Sequence, residues 1–185
     1  MDTVIGTGGG KGGKCFLTLL FRRFNLMLIY LLPYKRVQYV NEVFFSLKKL
    51  LGDDEFSRLF EVILTDNGTE FSDPETIEMS FKDPGRILSF VFFCDPNSAW
   101  QKGSLEKNHE YIRYVLPKGT SFAGLAQDDC TLLANHINSV PRVSLNNHSP
   151  YEAACLFIGE KNMDKLNLKP ISPDDINLSI RLLNK

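Results

Sequence analysis

Three acidic residues, Asp2, Asp66 and Glu106, are the side chains whose type and placement could do chemistry. Asp2 begins the first apolar run, Asp66 follows the run at residues 62–64, and 39 residues lie between Asp66 and Glu106. Carboxylate oxygens are the ligands that Mg²⁺ or Mn²⁺ prefers. Two such ions about 3.5–4 Å apart can activate the attacking oxygen and stabilise the leaving oxygen of a phosphodiester. The trio predicts two-metal phosphoryl transfer, although 22 acidic residues also allow accidental trios.

The predicted elements in the first half of the chain could bring two of these acids together. Apolar runs predict strands at residues 3–5, Cys15–Phe21 and Leu26–Leu32, and helical spacing predicts an amphipathic helix over Val37–Leu51. A short strand then leads into the Asp-Asn-Gly turn. If this strand neighbours the first one, Asp2 and Asp66 meet at one edge of the sheet.

The second half supplies a further strand and the helix that carries Glu106. Residues 87–93 are apolar enough for a fifth strand, and Leu105, Ile112 and Leu116 mark one face of a helix that ends before Pro117. Tight hairpins require antiparallel pairs, whereas a helical crossover permits a parallel pair. The order predicts an α/β fold with a five-stranded mixed sheet flanked by helices.

The remaining chain predicts two more helices and an extension. A helix over residues 128–139 begins with acids, and Ser149-Pro150-Tyr151-Glu152 has the form of a capping box with proline at the first helical position. Residues 159–185 are polar with few apolar anchors. We therefore expect a catalytic domain over residues 1–158 and a C-terminal extension or arm over residues 159–185.

The charge of the chain limits how it could hold nucleic acid. The formal net charge is −1, and the pI is about 6.3. Tight non-specific DNA binding depends mainly on Lys and Arg neutralising phosphates. Much of any DNA affinity must therefore lie outside these 185 residues.

Four scattered cysteines and the character of the first residues bear on location. Cys15, Cys94, Cys130 and Cys155 form no C-x-x-C pair, so neither a zinc site nor a disulfide framework is indicated. The beginning does not resemble a signal peptide, and charged residues interrupt the apolar stretch at residues 15–34. These features predict reduced thiols, a cytoplasmic location and no membrane partner.

A glycine-rich segment at residues 6–14 raises the alternative of nucleotide binding. The spacing of its glycines and Lys14 fits a phosphate-binding loop, but Cys15 replaces the Ser or Thr that would hold Mg²⁺. A strand-like run follows in place of a helix N-terminus. We predict a hairpin loop and no nucleotide cofactor.

Three sequence blocks, in order, carry a family resemblance. They are LTDNGTEF at residues 64–71, CDPNSAWQKGSLEKNHEYIRYVLPKGTSF at residues 94–122 and NSVPRVSLNNHSPYEA at residues 138–153. From Asp2 to about Ala154, the chain resembles bacterial insertion-sequence transposases of the insertion-sequence-thirty family, within the retroviral-integrase superfamily. The family's acids match Asp2 in MDTVIG, Asp66, and Glu106 with Arg113 seven residues later.

The resemblance implies a ribonuclease-H-like fold and a DNA transposase mechanism. It implies hydrolysis at transposon ends to free a 3′-hydroxyl, attack of that hydroxyl on target DNA, and two Mg²⁺ or Mn²⁺ ions held by Asp2, Asp66 and Glu106. DNA ends and target are the implied partners, and the active form is expected to be a homo-oligomer. Relatives carry helix-turn-helix domains upstream, so we expect the specificity domain to lie outside this sequence.

Several further residues are candidates for supporting the acids or contacting DNA. They are Asn67, Glu70, His109, Arg113 and Lys118. Three of them also have an ordinary interpretation: a turn residue for Asn67, a solvated acid for Glu70, and a solvated lysine for Lys118. His109 departs from the family, where Asn is frequent at this position. Trp100 is either a hydrophobic lid or a base-stacking group.

Two other functions stay open on the sequence alone. The same fold could serve a nuclease that cleaves DNA without joining a 3′-end to a target. The chain could also be a DNA-binding remnant that has lost metal-dependent activity, although its three matching acids count against this interpretation.

Overall fold

The computed structural model describes residues 1–7, 12–95 and 103–183, and it has the α/β composition predicted from the sequence. The strands are β1 Asp2–Ile5, β2 Cys15–Phe21, β3 Leu26–Leu32, β4 Val62–Thr65 and β5 Phe90–Phe93. The helices are α1 Val37–Leu51, α2 Asp53–Leu59, α3 Pro74–Glu78, α4 Gly103–Val115, α5 Gln127–Ser139, α6 Pro150–Ile158 and α7 Glu160–Lys165.

The described strands form two sheets rather than the single five-stranded sheet that the sequence predicted. β1, β2 and β3 pair antiparallel in that order, with Asp2 opposite Thr18. β4 and β5 pair parallel, with Val62 opposite Phe90. The predicted antiparallel and parallel pairs are thus both present, but no continuous ladder of hydrogen bonds joins the two described sheets.

The two sheets approach each other where β1 begins. The backbone nitrogen of Met1 donates a hydrogen bond to the carbonyl of Leu64 in β4. β1 has four residues whereas β2 has seven, so the last part of β2 extends past β1 without a partner on that edge. A cavity of about 470 Å³, lined by Leu19, Phe21 and Val62 among other apolar residues, separates β2 from β4 there. The described pairs β1–β2 and β4–β5 thus meet at Met1 and Leu64 without a ladder of strand pairing between them.

Alternation along β2 builds a hydrophobic core on each face of the antiparallel sheet. Leu17 and Leu19 pack on one side with α1 residues such as Phe44. Phe16 packs on the other side with residues of α4 and α5, including Ile112 and Leu133. The antiparallel sheet therefore lies between two helical layers, and α4 is held on the second of them.

Three short helices and the extent of β5 depart from the sequence prediction. Helices α2, α3 and α7 span five to seven residues, which is too short for helical periodicity to identify them. The predicted strand at residues 87–93 is paired with β4 only from Phe90 onwards, whereas Ile87 makes a single antiparallel bridge with Met79. After α3 the chain forms this bridge, so the first part of the apolar run does not pair with β4.

The predicted capping box at Ser149 is confirmed by hydrogen bonds. The Ser149 hydroxyl accepts from the Glu152 nitrogen at 3.1 Å, and the Glu152 carboxylate accepts from the Ser149 nitrogen at 2.8 Å, which completes the capping box of α6. The four cysteines are free thiols. Within the described part of the chain, we find no helix that is long and apolar enough to cross a membrane.

The segment after α7 packs along α5. Leu166 and Leu168 are buried in the core. The Asn135 side chain donates to the Asn167 carbonyl at 3.3 Å and accepts from the Lys169 nitrogen at 3.0 Å. These contacts hold the first part of the predicted extension against the domain predicted over residues 1–158.

Candidate active site

Asp2 and Asp66 lie close to the contact between the two sheets. Asp2 is the first residue of β1, and Asp66 follows the last residue of β4. Asp2 Oδ1 accepts from the Thr3 nitrogen at 2.8 Å, and Asp66 Oδ1 accepts from the Gly68 nitrogen at 3.0 Å. Both side chains are half-buried. The hydrogen bond between Met1 and Leu64 connects β1 with β4. On each side of this bond, the bonded residue comes shortly before the aspartate in the sequence.

Glu70 is buried beside these two aspartates and is not the solvated acid that its charge alone would suggest. Only 1% of its surface is exposed. Its Oε1 accepts from the Thr3 hydroxyl at 2.8 Å and lies 3.1 Å from the Lys35 ammonium. Burial, with the negative charge of Glu70 adding to it, raises the pKa of the Cys15 thiol to about 11. Thr3 and Lys35 were not identified from the sequence, because neither belongs to the blocks that carry the resemblance.

In the turn after Asp66, position 68 is occupied by glycine because there is little space for a side chain there. Gly68 has an ordinary φ of −62°, so its backbone does not require glycine. A Cβ at this position would lie 2.6 Å from Glu70 Oε2 and 3.0 Å from Asp66 Oδ1. The Asp-Asn-Gly turn thus packs directly on the buried carboxylate of Glu70.

Glu106 lies exposed in the first turn of α4, and His109 one turn later ties this helix to the sheet. Nε2 of His109 lies 2.8 Å from the Thr18 hydroxyl, which itself donates to the Asp2 carbonyl at 3.1 Å. When the Thr18 hydroxyl donates to the Asp2 carbonyl, Nε2 of His109 donates to that hydroxyl. The available signal for Thr18 was one polar residue within the apolar run of β2.

Arg113 contacts the far end of β1. One of its terminal nitrogens donates to the Ile5 carbonyl at 3.4 Å, and burial lowers the pKa of the guanidinium from its ordinary value. The guanidinium still keeps its charge at neutral pH. This contact places a cation within the same helix-to-strand interface that His109 stabilises.

Asn67 and Lys118 are exposed, as DNA-contacting side chains must be. Lys118 lies in the loop after α4, which packs against the end of the β1 hairpin through a bond from the Thr7 nitrogen to the Thr120 carbonyl at 2.9 Å. Trp100 lies outside the described residues, so its two interpretations, a hydrophobic lid and a base-stacking group, stay predictions.

The glycine-rich loop is only partly described, because residues 8–11 lie outside the described ranges. The Lys14 ammonium donates to the Leu125 carbonyl at 2.7 Å. A Cβ on Gly6 would lie 2.8 Å from the Phe122 ring, so this end of the loop packs closely on the segment after α4. The described part of the loop is a hairpin connection between β1 and β2.

The donor chemistry of the acids fits a divalent cation, but the three side chains are not gathered at one point. Asp2 and Asp66 present carboxylate oxygens from adjacent strands, which suits Mg²⁺ or Mn²⁺. Across residues 1–7, 12–95 and 103–183, no three His, Cys, Asp or Glu side chains are grouped closely enough to hold one ion. The fold brings β1, β4 and α4 together, whereas Glu106 itself stands in solvent.

Comparison with known proteins identifies relatives of one kind. No protein-family model matches the chain. It is 42% identical over 62 residues to the transposase for insertion sequence element IS1086 of Cupriavidus metallidurans, covering 34% of this chain and 18% of that protein. It is 40% identical over 62 residues to transposase InsI for insertion sequence element IS30A of Escherichia coli, covering 34% of this chain and 16% of that protein.

A third relative matches over a longer stretch. The transposase for insertion sequence element IS4351 of Bacteroides fragilis is 29% identical over 105 residues, which are 57% of this chain and 30% of that protein. The matched stretches thus span less than a third of the length of each of these relatives. Over these stretches, the chain is similar to insertion-sequence transposases.

Proposed function

We propose that this chain is the catalytic core of a DNA transposase of the Asp-Asp-Glu type, with a ribonuclease-H-like fold. The observation that carries the proposal is the packing of the three elements that bear the acids. The Met1–Leu64 bond brings β1 beside β4, and the His109–Thr18 contact holds α4 next to Asp2. In a ribonuclease-H-like sheet continuous across this junction, the strand order would be β3-β2-β1-β4-β5, with β1 in the centre.

Asp2, Asp66 and Glu106 would hold a pair of Mg²⁺ or Mn²⁺ ions. When bound, such ions supply charge stabilisation for the attacking and leaving oxygens of an in-line phosphodiester exchange. Like charges repel one another, which favours an arrangement with Glu106 turned away until cations arrive. Glu106 is exposed on α4, and a change of rotamer or a small shift of α4 would have to bring it to the ions.

The reaction needs two phosphodiester exchanges at the same acids. In the first, water attacks the phosphodiester at a transposon end, and the 3′-oxygen leaves as a hydroxyl. In the second, that 3′-hydroxyl attacks a phosphodiester of the target, and the target's own 3′-oxygen leaves. The side chains of this chain position the DNA and the acids, and none acts as a covalent nucleophile.

Exposed polar side chains around the acids would hold the DNA backbone. Asn67 is next to Asp66, whereas Lys118 lies in the loop that packs beyond the other end of β1. A strand of four residues spans roughly 13 Å, and successive phosphates of one DNA strand are about 3.4 Å apart along the helix axis. Lys118 would therefore contact a phosphate several nucleotides from the one that reacts at Asp2 and Asp66.

A strand-transfer assay with labelled element ends and supercoiled target DNA tests the proposal. The chain is fused to a DNA-binding domain that recognises those ends, since its own net charge of −1 gives little affinity. We expect Mg²⁺- or Mn²⁺-dependent joining of 3′-ends to the target. Cleavage without joining would identify a nuclease instead, and loss of both activities with DNA binding retained would identify an inactive DNA-binding remnant. Either result would overturn the proposal.

A further inference from the structure

A series of partly buried contacts connects Asp2 with Asp66. Asp2 accepts from the Thr3 nitrogen, and the Thr3 hydroxyl donates to Glu70. Glu70 packs against Gly68, whose nitrogen donates to Asp66. At the centre of this series of contacts, one 2.8 Å hydrogen bond joins Thr3 and Glu70, which are 67 positions apart in the sequence.

The charge of Glu70 is costly where it lies. A buried carboxylate loses its hydration, and an ion pair with a partner such as Lys35 compensates for that loss only partly. Glu70 Oε2 is buried without a hydrogen-bond partner among the described residues. Replacement of a buried ion pair by apolar residues of similar volume is often neutral or stabilising. The contacts of Glu70 connect β1 with the turn at residues 66–68, so they can act on the geometry of the site.

The geometry that Glu70 can control is the position of the turn at residues 66–68 relative to β1. Its Oε1 is held by Thr3 of β1 and by Lys35, which follows β3, while its Oε2 faces the Gly68 Cα. Asp2 and Asp66 extend from these same two backbone segments. A change at Glu70 would thus move one aspartate relative to the other without touching either.

We infer that Glu70 is a positioning residue that fixes the separation of Asp2 and Asp66 through Thr3 and Gly68. The inference rests on the proposed function, because the separation matters for a pair of cations held by these two carboxylates. Glu70 acts on the backbone of the site, and the Lys35 ammonium contacts the same carboxylate oxygen that Thr3 does.

Mn²⁺ binding followed by electron paramagnetic resonance tests the consequence for the site. Glu70→Ala and Thr3→Val should weaken Mn²⁺ binding by about 10-fold or more, as outer partners of metal sites commonly do. Glu70→Gln should recover part of the affinity, since Gln still offers Thr3 an acceptor. Glu75→Gln, at an exposed acid on α3, is the matched control and should bind Mn²⁺ like the wild type.

Amide hydrogen exchange without metal tests the positioning itself. The Thr3 and Gly68 amides donate to the two aspartates. Both should exchange about 10-fold faster in Glu70→Ala and in Thr3→Val, because loss of the buried contact loosens both segments. Amides in β3 should keep their protection, which shows that the variants are folded.

The two measurements separate this inference from the proposed function. Wild-type exchange at both amides in folded Glu70→Ala, or unchanged Mn²⁺ affinity in that variant, would overturn the positioning role. A wild-type chain that binds no Mn²⁺ would reject the proposed function. If the Thr3 and Gly68 amides still exchange faster in Glu70→Ala and Thr3→Val than in the wild type, the contact between Thr3 and Glu70 is nevertheless supported.

Discussion

Nε2 of His109 on α4 lies 2.8 Å from the hydroxyl of Thr18 on β2, directly opposite Asp2 in the sheet register. The contact connects the helix that carries Glu106 to the strand pair that carries Asp2. It crosses the interface between the second helical layer and the sheet, where Thr18 is fully buried. Several expected outcomes depend on this and related contacts.

Thr18→Val and His109→Ala should each destabilise the fold by about 1 kcal/mol, because each removes one partner of a buried hydrogen bond. The double variant should lose less than the sum, with a coupling energy of about 0.5–1.5 kcal/mol. Urea denaturation of the four proteins measures the cycle. Additive losses would show that the two side chains do not interact.

Asp66→Asn should abolish metal-dependent cleavage and joining, with a loss well above the roughly 10- to 100-fold that outer partners of a metal site cause. The free energy of unfolding should change by less than about 1 kcal/mol, because Asn still accepts from the Gly68 nitrogen. The strand-transfer assay and urea denaturation measure the two effects. Asp174→Asn, at an exposed acid far along the chain, should leave both quantities unchanged.

Glu106→Gln should reduce the rise in melting temperature that Mg²⁺ or Mn²⁺ produces, and it should stop catalysis. An ion that binds only the folded protein stabilises it by mass action, so a weaker site gives a smaller rise. Helix α4 should stay intact because Gln forms helix about as well as Glu. Glu110→Gln is the matched control, since Glu110 is also exposed on α4 one turn later. Equal rises in both variants would remove Glu106 from the metal site.

The same mechanism has a geometric requirement. A crystal structure with Mn²⁺ should show Asp2, Asp66 and Glu106 around a common pair of ions, reached by rotamer changes or a small shift of α4. Ions held by other side chains would contradict the assignment of these three acids.

The isolated chain should bind duplex DNA weakly, without preference for transposon ends and with strong dependence on salt. Its net charge is −1, so we expect a Kd on the order of 10⁻⁴ to 10⁻⁶ M at physiological salt, typical of non-specific binding. Fluorescence anisotropy with end and scrambled duplexes at several salt concentrations measures this. Tight binding that selects the ends would place the sequence-reading function within these residues.

Buried Lys48 should make stability depend on pH. Its ammonium donates to the Thr76 and Met79 carbonyls, and burial lowers the pKa of Lys48 to about 8, while nearby Asp53 opposes the shift. The unfolded chain holds this proton up to its ordinary pKa of 10.5, so the unfolded state binds more protons between about pH 8 and pH 10.5. The contribution of Lys48 to the free energy of unfolding should therefore rise with pH across this window.

Urea denaturation at pH 7.5, 8.5 and 9.5 measures the effect as the difference between wild type and Lys48→Met, which should increase with pH in favour of the wild type. The difference is needed because the buried Cys15 thiol, with its raised pKa, acts in the opposite direction above about pH 9. Lys49→Met, at the exposed neighbour of Lys48, is the matched control and should show no such trend. A difference that stays constant with pH would show that Lys48 is not desolvated.

Local patterns were sufficient for the long elements. β2, β3 and α1 have the bounds that the sequence predicted, because apolar periodicity extends over at least seven residues and Pro33 and Gly52 stop it. The short helices α2 and α3 were missed, since five to seven residues contain too few turns for a period to show.

The candidate catalytic acids could be named from the sequence because the sequence blocks around them resemble a family, and their types suit a metal. Neighbours such as Glu70 could be named as candidates in the same way, but the contacts that bury Glu70 could not. The burial of Glu70 depends on Thr3 and Lys35, which come from β1 and from the segment after β3. Nothing in the local sequence distinguishes this acid from a solvated one.

The sequence by itself determined which residues form the strands and long helices, since hydrophobic spacing and turn residues act locally. Only the tertiary structure decided how those elements meet. Among the described residues, the two sheets share no ladder of strand pairing, and His109 and Glu70 become contacts of the site through residues distant in the chain. Such contacts depend on the packing of elements that are far apart in the sequence, so no local pattern of residues records them.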